Sequence, residues 1–175
     1  FLVSVVSPSD HWLYASSRGG LAAGRVEPSG SLFPYQTDDR LHRAHEDVGG
    51  WTCLHVERDG TVTTWEPLRP RSTPHLLRRL RKSVAGDRLV YEERHDVLEM
   101  TFTMQWGFSE RFGLVRTVTV RNHGAPARIH LADGLNGVLP AGPPLGLVQT
   151  ASCLVNAYAR AEWDDDGALA VFALE

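Results

Sequence analysis

Between Ser17 and His42 the chain reads SRGGLAAGRVEPSGSLFPYQTDDRLH, and the side chains there that could do chemistry are Arg18, Arg25, Tyr35, Asp38, Asp39 and Arg40. Guanidinium, phenol and carboxylate groups at this spacing answer to no hydrophobic period. They supply donors and acceptors suited to a polyhydroxylated ligand or to a partner domain. Gly19, Gly20 and Gly24 stand among them and let a backbone come close to another body. The stretch is therefore expected outside the core, as a surface that meets something.

Other groups invite weighing. His42-Arg43-Ala44-His45-Glu46 puts two imidazoles three residues apart with a carboxylate beside them, but a further ligand at metal spacing is missing, so a solvated loop is expected and no metal site. Asp38-Asp39 and Glu92-Glu93 are adjacent pairs; neighbours in a strand point to opposite faces, whereas glycosidic acid–base chemistry needs two carboxyls facing one bond. His55 and His130 sit among strand-forming residues and read as structural. RPRSTPHLLRRLRK, from Arg69 to Lys82, is strongly basic, yet it lacks the aromatic platforms of a nucleic-acid groove, so a solvated or interdomain basic face is expected. Of the tryptophans, Trp106 belongs to an apolar stripe, while Trp12 and Trp65 are the ones expected at the surface, where a sugar ring could pack on them.

Motifs for common chemistries are missing: there is no G-x-S-x-G elbow, no P-loop, no dinucleotide fingerprint and no H-E-x-x-H. No catalytic residue and no cofactor is assigned on this reading. A length of 175 residues, with 42% hydrophobic and 22% charged side chains, suits a single globular domain and neither a disordered nor a membrane-spanning chain. The formal net charge of −3 gives no general attraction to nucleic acid or anionic lipid. Cys53 and Cys153 lie far apart beside apolar neighbours, as expected of reduced, buried thiols in a cytoplasmic protein. The chain opens on FLVSVVS and ends on ALAVFALE, both strand-like, as an excised piece of a longer protein would.

The elements that must position these groups follow a period of two. Leu98, Met100, Phe102, Met104 and Trp106 share one face of a strand, with Glu99, Thr101, Thr103 and Gln105 on the other. WTCLHVER and TVTTWEP flank Asp59-Gly60, a dipeptide suited to a tight hairpin turn, and GLVRTVTV and ARIHLAD flanking Asn122-His123-Gly124 predict a second hairpin. GALAVFALE, after the Asp164-Asp165-Asp166-Gly167 turn, reads as a terminal strand. HLLRRLRKSVAG and TASCLVNAYARAEW predict short amphipathic helices, the latter capped by Ser152, and LPAGPPLG predicts a loop. The sum is a mainly-β antiparallel sandwich with one or two short helices over 1–175.

The order GGWTCLHVERDGTVTTWEPLRP followed by VRTVTVRNHGAPARIHLADGL resembles the N-terminal β-sandwich of cellobiose-phosphorylase-like proteins, with a glycine-introduced strand, a G-x-x-x-x-W-x-P turn and a strand ending in asparagine. The resemblance implies a galactose-mutarotase-like supersandwich that precedes and supports an (α/α)6 barrel carrying the catalytic carboxylate. It implies that this domain is silent alone, helps close a carbohydrate pocket and can contribute to a homodimer. Arg18, Arg25, Tyr35, Asp38, Arg40 and Trp65 are then the expected substrate or interdomain contacts. DGLNGVLPAG departs from the pattern, so the parent's activity, phosphorylase or hydrolase, stays open. Two alternatives stand beside this: a free-standing sugar-binding module, and a mutarotase-like epimerase using His55 or His130 with Glu57 or Glu99.

Overall fold

The computed structural model describes residues 1–69, 74–164 and 169–174. It is an antiparallel, mainly-β protein with a few short helices. The first sheet is a meander of β1 (Leu2–Val5), β2 (His11–Ser16), β3 (Leu21–Arg25) and β4 (Ser31–Phe33). Leu13, Ala15, Leu21, Ala23 and Phe33 alternate onto its inner face and are buried. Helix α1 (Asp38–Arg43), continued by a 3-10 turn over Ala44–Glu46, packs against the end of the β2–β3 turn. A side chain at Gly20 would collide with the Leu41 carbonyl, which explains that glycine. Asp38 and Asp39 in the first turn of α1 and His42 and Arg43 in the last oppose the helix dipole.

β5 (Gly49–Arg58) and β6 (Thr61–Trp65) form the hairpin expected around Asp59-Gly60, both of whose φ angles are positive, 51° and 77°. β7 (Leu76–Lys82), β8 (Arg88–His95), β9 (Met100–Ser109) and β10 (Gly113–Asn122) make a second four-stranded meander. β11 (Arg128–Asn136) returns to pair with β5, giving the order β11-β5-β6. The β7–β10 meander stacks its inner face on both other sheets. Trp106 meets Phe33 edge-on at 6.2 Å, and Phe102 meets Trp65 at 6.3 Å. The predicted apolar stripe thus forms the centre of one core, Met100 to Trp106 being buried at alternate positions with Leu98 just before the strand. The chain closes with α2 (Leu145–Thr150), α3 (Ser152–Ala157), β12 (Ala159–Trp163) and β13 (Ala170–Leu174), the last two paired with each other.

Several expectations are corrected. HLLRRLRK is strand β7: its inward residues alternate as Leu76, Arg78 and Leu80, and Arg78 and Arg81 meet Glu93 and Glu92 of β8, contacts that a helix would not offer. GLVRTVTV and ARIHLAD do not form a hairpin; β10 and β11 belong to different sheets. The corner between them is built by Asn122, whose Nδ2 donates to the Ala125 carbonyl at 2.8 Å. Arg58 clamps it from β5, donating to Asn122 Oδ1 at 3.2 Å and to the carbonyls of Ala125 and Leu98. TASCLVNAYARAEW is helical only to Ala157, where the chain turns into β12, and Ala151 rather than Ser152 is the N-cap. Cys153 is exposed on α3, whose one buried residue is Val155, and Cys53 is half-buried because its neighbours Thr52 and Leu54 take the inward positions of β5; both thiols are free. The turn expected at Asp164-Asp165-Asp166-Gly167 lies mostly outside the described residues. Among those described, no helix is long and apolar enough to cross a membrane.

Candidate functional site

One convergence of polar groups starts from a buried carboxylate. Glu93 shares the inward register of β8 with Leu89 and Tyr91 and is 0% exposed. A charge in that position requires partners. It accepts Trp65 Nε1 at 2.7 Å, the Leu68 amide at 2.9 Å and Arg78 Nε at 2.6 Å. Arg78 also donates to the Arg69 carbonyl. The Leu68 bond holds that residue at φ 67°, a left-handed conformation costly for leucine, so the Glu93 network fixes the backbone that walls the adjoining cleft.

That cleft has a volume of about 470 Å³ and is bounded by Arg18, Arg78 and Arg79, by the apolar Leu68 and Leu80, and by His45 and Tyr91. A small cavity of about 20 Å³ shares Arg18, His45 and Leu68 and continues to Gly50 and Thr52. His45 comes from the 3-10 turn after α1; its side chain is 11% exposed, and neither ring nitrogen has a hydrogen-bond partner. The nearest carboxylate is Glu46, at 4.0 Å. Tyr91 donates its hydroxyl to the Ser16 carbonyl at 2.6 Å, and burial pushes the phenol pKa far up, so it stays a neutral donor. The cleft offers guanidinium donors, one imidazole able to donate or accept, and apolar walls, which is a set that binds. Among the described residues no carboxylate lines it, so the facing pair needed for glycosidic bond cleavage is not assembled there.

The residues singled out from Ser17 to His42 separate. The segment is only partly external, because β3 runs through it and Leu21, Ala22 and Ala23 are core. Arg18 enters the cleft just described. Tyr35 and Arg40 border another, of about 480 Å³, with Leu139, Leu145 and Val148 opposite. Tyr35 also packs edge-on against Trp12 at 5.6 Å, and Trp12 lies 5.9 Å from Tyr14. Arg25 is bound through Nε to both oxygens of Asp10, at 3.0 and 2.9 Å, and Asp38 pairs with His42 at 3.3 Å. Hydrogen bonding from Thr37 holds Asp39 below the ordinary carboxylate range. Trp65, expected at an exposed strand end, is 3% exposed, because its indole N–H is needed by Glu93; it supports the Arg18 cleft only through that bond.

The His42–Glu46 run is helical rather than a loop, since Leu41 and Ala44 anchor it to the core. Among the described residues no group of three or more His, Cys, Asp or Glu side chains is arranged to hold a metal. His55 and His130 are register partners on the exposed outer face of β5 and β11, and Glu57 beside them is paired with Arg128 at 3.7 Å. Glu99 lies in a turn of the other sheet, so it does not join them. His45, which lines the cleft, and Glu93, which holds its Leu68 wall, were weighed in the sequence only as part of a metal run and of an adjacent carboxylate pair, and their part in the cleft was missed. For Glu93 the signal was available: it falls two residues after Tyr91 and four after Leu89, on the inward face.

Fold and cleft together define an antiparallel, mainly-β protein, compatible with a β-sandwich, with a cationic, partly apolar cleft. No protein-family model matches the chain, and no match is found among curated proteins.

Proposed function

We propose that the chain is the non-catalytic, galactose-mutarotase-like sandwich of a carbohydrate-active protein, glycoside phosphorylase or hydrolase in kind, and that it docks on a separate catalytic helical barrel. In this reading the Arg18–His45 cleft contributes guanidinium and imidazole contacts to a sugar pocket, and Tyr35 and Arg40 contribute to the interdomain face. One observation supports it above the rest: the strands and helices after β10 carry large apolar side chains in solvent, among them Leu131 at 53%, Tyr158 at 57% and Trp163 at 75% exposure. Clustered exposed apolar residues mark surfaces built to be covered.

Hydrogen–deuterium exchange on this chain and on the longest natural polypeptide that contains it tests the docking. The expected result is slower exchange over 128–136 and 152–163 in the longer protein; equal exchange in the two overturns the proposal. A second reading, a free-standing sugar-binding module, is favoured by the Trp12, Tyr14 and Tyr35 rings gathered beside the Tyr35–Arg40 cleft. Calorimetry of the chain alone against an oligosaccharide panel decides for the module if it finds affinity. Polarimetry of aldose anomer exchange is expected to show no acceleration, and acceleration would replace both readings with an epimerase.

A further inference from the structure

We propose that the outer face of the β7–β10 sheet is a binding surface for an acidic polysaccharide, one bearing sulfate or carboxylate groups. This surface meets the Arg18–His45 cleft only at Arg79, on the edge strand β7, and is argued without reference to it. The sheet's alternation leaves two full rows of side chains on this face. Leu77, Arg94, Thr101 and Arg121 lie opposite one another across the four strands, and so do Arg79, Glu92, Thr103 and Thr119. With Arg81 and His123 they bound a shallow groove of about 450 Å³. Strand spacing puts Arg94 and Arg121, two strands apart, at about 10 Å, and Arg79 and Arg81, two residues apart in one strand, at about 7 Å.

A polar outer face is ordinary for an antiparallel sheet, and arginines on β7, an edge strand, would by themselves only guard that edge. Here the cations continue onto the interior strand β8 with Arg94 and across to β10 with Arg121. Their neutralisation is incomplete. Glu92, the one carboxylate lining the groove, is shared between Arg81 at 2.6 Å and Arg79 at 3.8 Å. Arg94 turns to Asp96 at 2.9 Å, while the Arg121 side chain has no hydrogen bond or ion pair among the described residues. Four guanidinium groups thus face one carboxylate in a groove whose remaining polar lining is hydroxyl and imidazole.

The chemistry narrows the occupant. Guanidinium groups grip sulfate and carboxylate through paired charge-assisted hydrogen bonds, and threonine hydroxyls both donate to and accept from sugar hydroxyls. No Phe, Tyr or Trp ring lines the groove and His123 is its single small ring, so successive nucleobases have no run of platforms to stack on. Leu77 is its one apolar wall, too little for the desolvated centre of a protein interface. An open groove running across four strands suits a linear polymer better than an enclosed small molecule.

Calorimetry of the whole chain at low salt with dextran sulfate and with polygalacturonate, against neutral dextran, tests this. Binding to at least one acidic polymer and none to dextran is expected, with affinity falling as ionic strength rises. The double variant Arg94→Gln/Arg121→Gln is expected to lose about tenfold or more in affinity, as for several charge-assisted contacts. Arg111→Gln/Arg128→Gln, with the same change of net charge at exposed positions elsewhere, should stay within about twofold. Thr103→Glu, which keeps every arginine and places a carboxylate in mid-groove, should match the first variant. No binding, equal loss in the control, or equally tight binding of oligo(dT) would overturn the proposal.

Discussion

The body of the molecule, up to β10, and the stretch from β11 onward use apolar residues for opposite purposes. Every buried apolar side chain among the described residues lies at or before Trp106, with Pro140 and Val155 the exceptions. In the body, alternation sends one residue in two into a core shared by three sheets. In the later stretch Ile129, Leu131 and Leu135 share one face of β11 with Asp133, opposite Val56, Leu54 and Gly50 of β5, yet all three apolar side chains are exposed. Backbone bonding holds this region in place: the β11–β5 ladder, the Leu139 amide on the Leu32 carbonyl at 2.8 Å, and a bridge between Ala141 and Ala173. Hydrophobic patterning therefore marks strands in both regions, but only the body supplies the second layer that turns a stripe into a core.

The comparison breaks first if the body is not self-sufficient. Glu93→Ala strips the acceptor from Trp65, Leu68 and Arg78 at once. Loss of one partner from a buried charged network costs about 3–5 kcal/mol, a large part of the stability of a domain of this size. Urea unfolding should show the midpoint falling accordingly. A change under about 1 kcal/mol would mean that the network is solvated and that the body owes its shape to apolar packing alone.

A smaller effect tests the seam where the two regions meet. Arg116 of β10, its side chain 9% exposed, reaches Asp133 of β11 with both terminal nitrogens, at 2.7 and 2.8 Å, and Thr52 donates to the same carboxylate at 2.5 Å. Burial pulls the Asp133 pKa up, but the hydrogen bonds from Arg116 and Thr52 and the guanidinium charge prevail, so the folded value lies below the ordinary one. A carboxyl depressed on folding adds stability above its unfolded pKa, near 3.9, and that stability disappears as pH falls through the folded value. Asp133→Asn should therefore cost about 1 kcal/mol at neutral pH and nothing once both forms are measured in acid, below the folded pKa. A constant difference at every pH would assign the effect to packing rather than to charge.

How much was legible in the sequence follows the same division. Where a strand alternates cleanly, as from Leu98 to Trp106, or where Asp59-Gly60 demands positive φ, the local code is sufficient and the structure agrees. It failed where partners are remote. Leu76, Leu77 and Leu80 also fit a helical wheel, and only Glu92 and Glu93, more than ten residues on, make a strand of that segment. Asn122-His123-Gly124 looks like a hairpin turn, but the Arg58 clamp that makes it a corner between sheets comes from 64 residues away in sequence. The binding groups were visible as residue types and not as a set. Arg18 meets His45 and Arg78 in one cleft, whereas Arg25 and Asp38 spend their charges on Asp10 and His42. Spacing along a chain does not report which side of a sheet a loop returns to.

The smallest expected effect on stability is also the sharpest test of the contrast. If the stretch after β10 is an interface surface, replacing its outward apolar residues should leave the isolated fold intact. Leu131→Ser/Leu135→Ser/Trp163→Ser changes three side chains that are 53%, 47% and 75% exposed. Surface substitutions of this kind each fall within about 0.5 kcal/mol, so the urea midpoint should hardly move. Binding of a hydrophobic dye to the native chain should drop by about half or more, because exposed apolar side chains are what such a dye senses. If the triple variant instead unfolds as readily as Glu93→Ala, the exposed strand is stabilising the body through its side chains, and the distinction between a closed core and an open docking face is wrong. If the fold holds and the dye signal drops, the energetic boundary of the domain lies near Pro126, where the chain leaves the core-forming meander for the strand that β5 holds by its backbone.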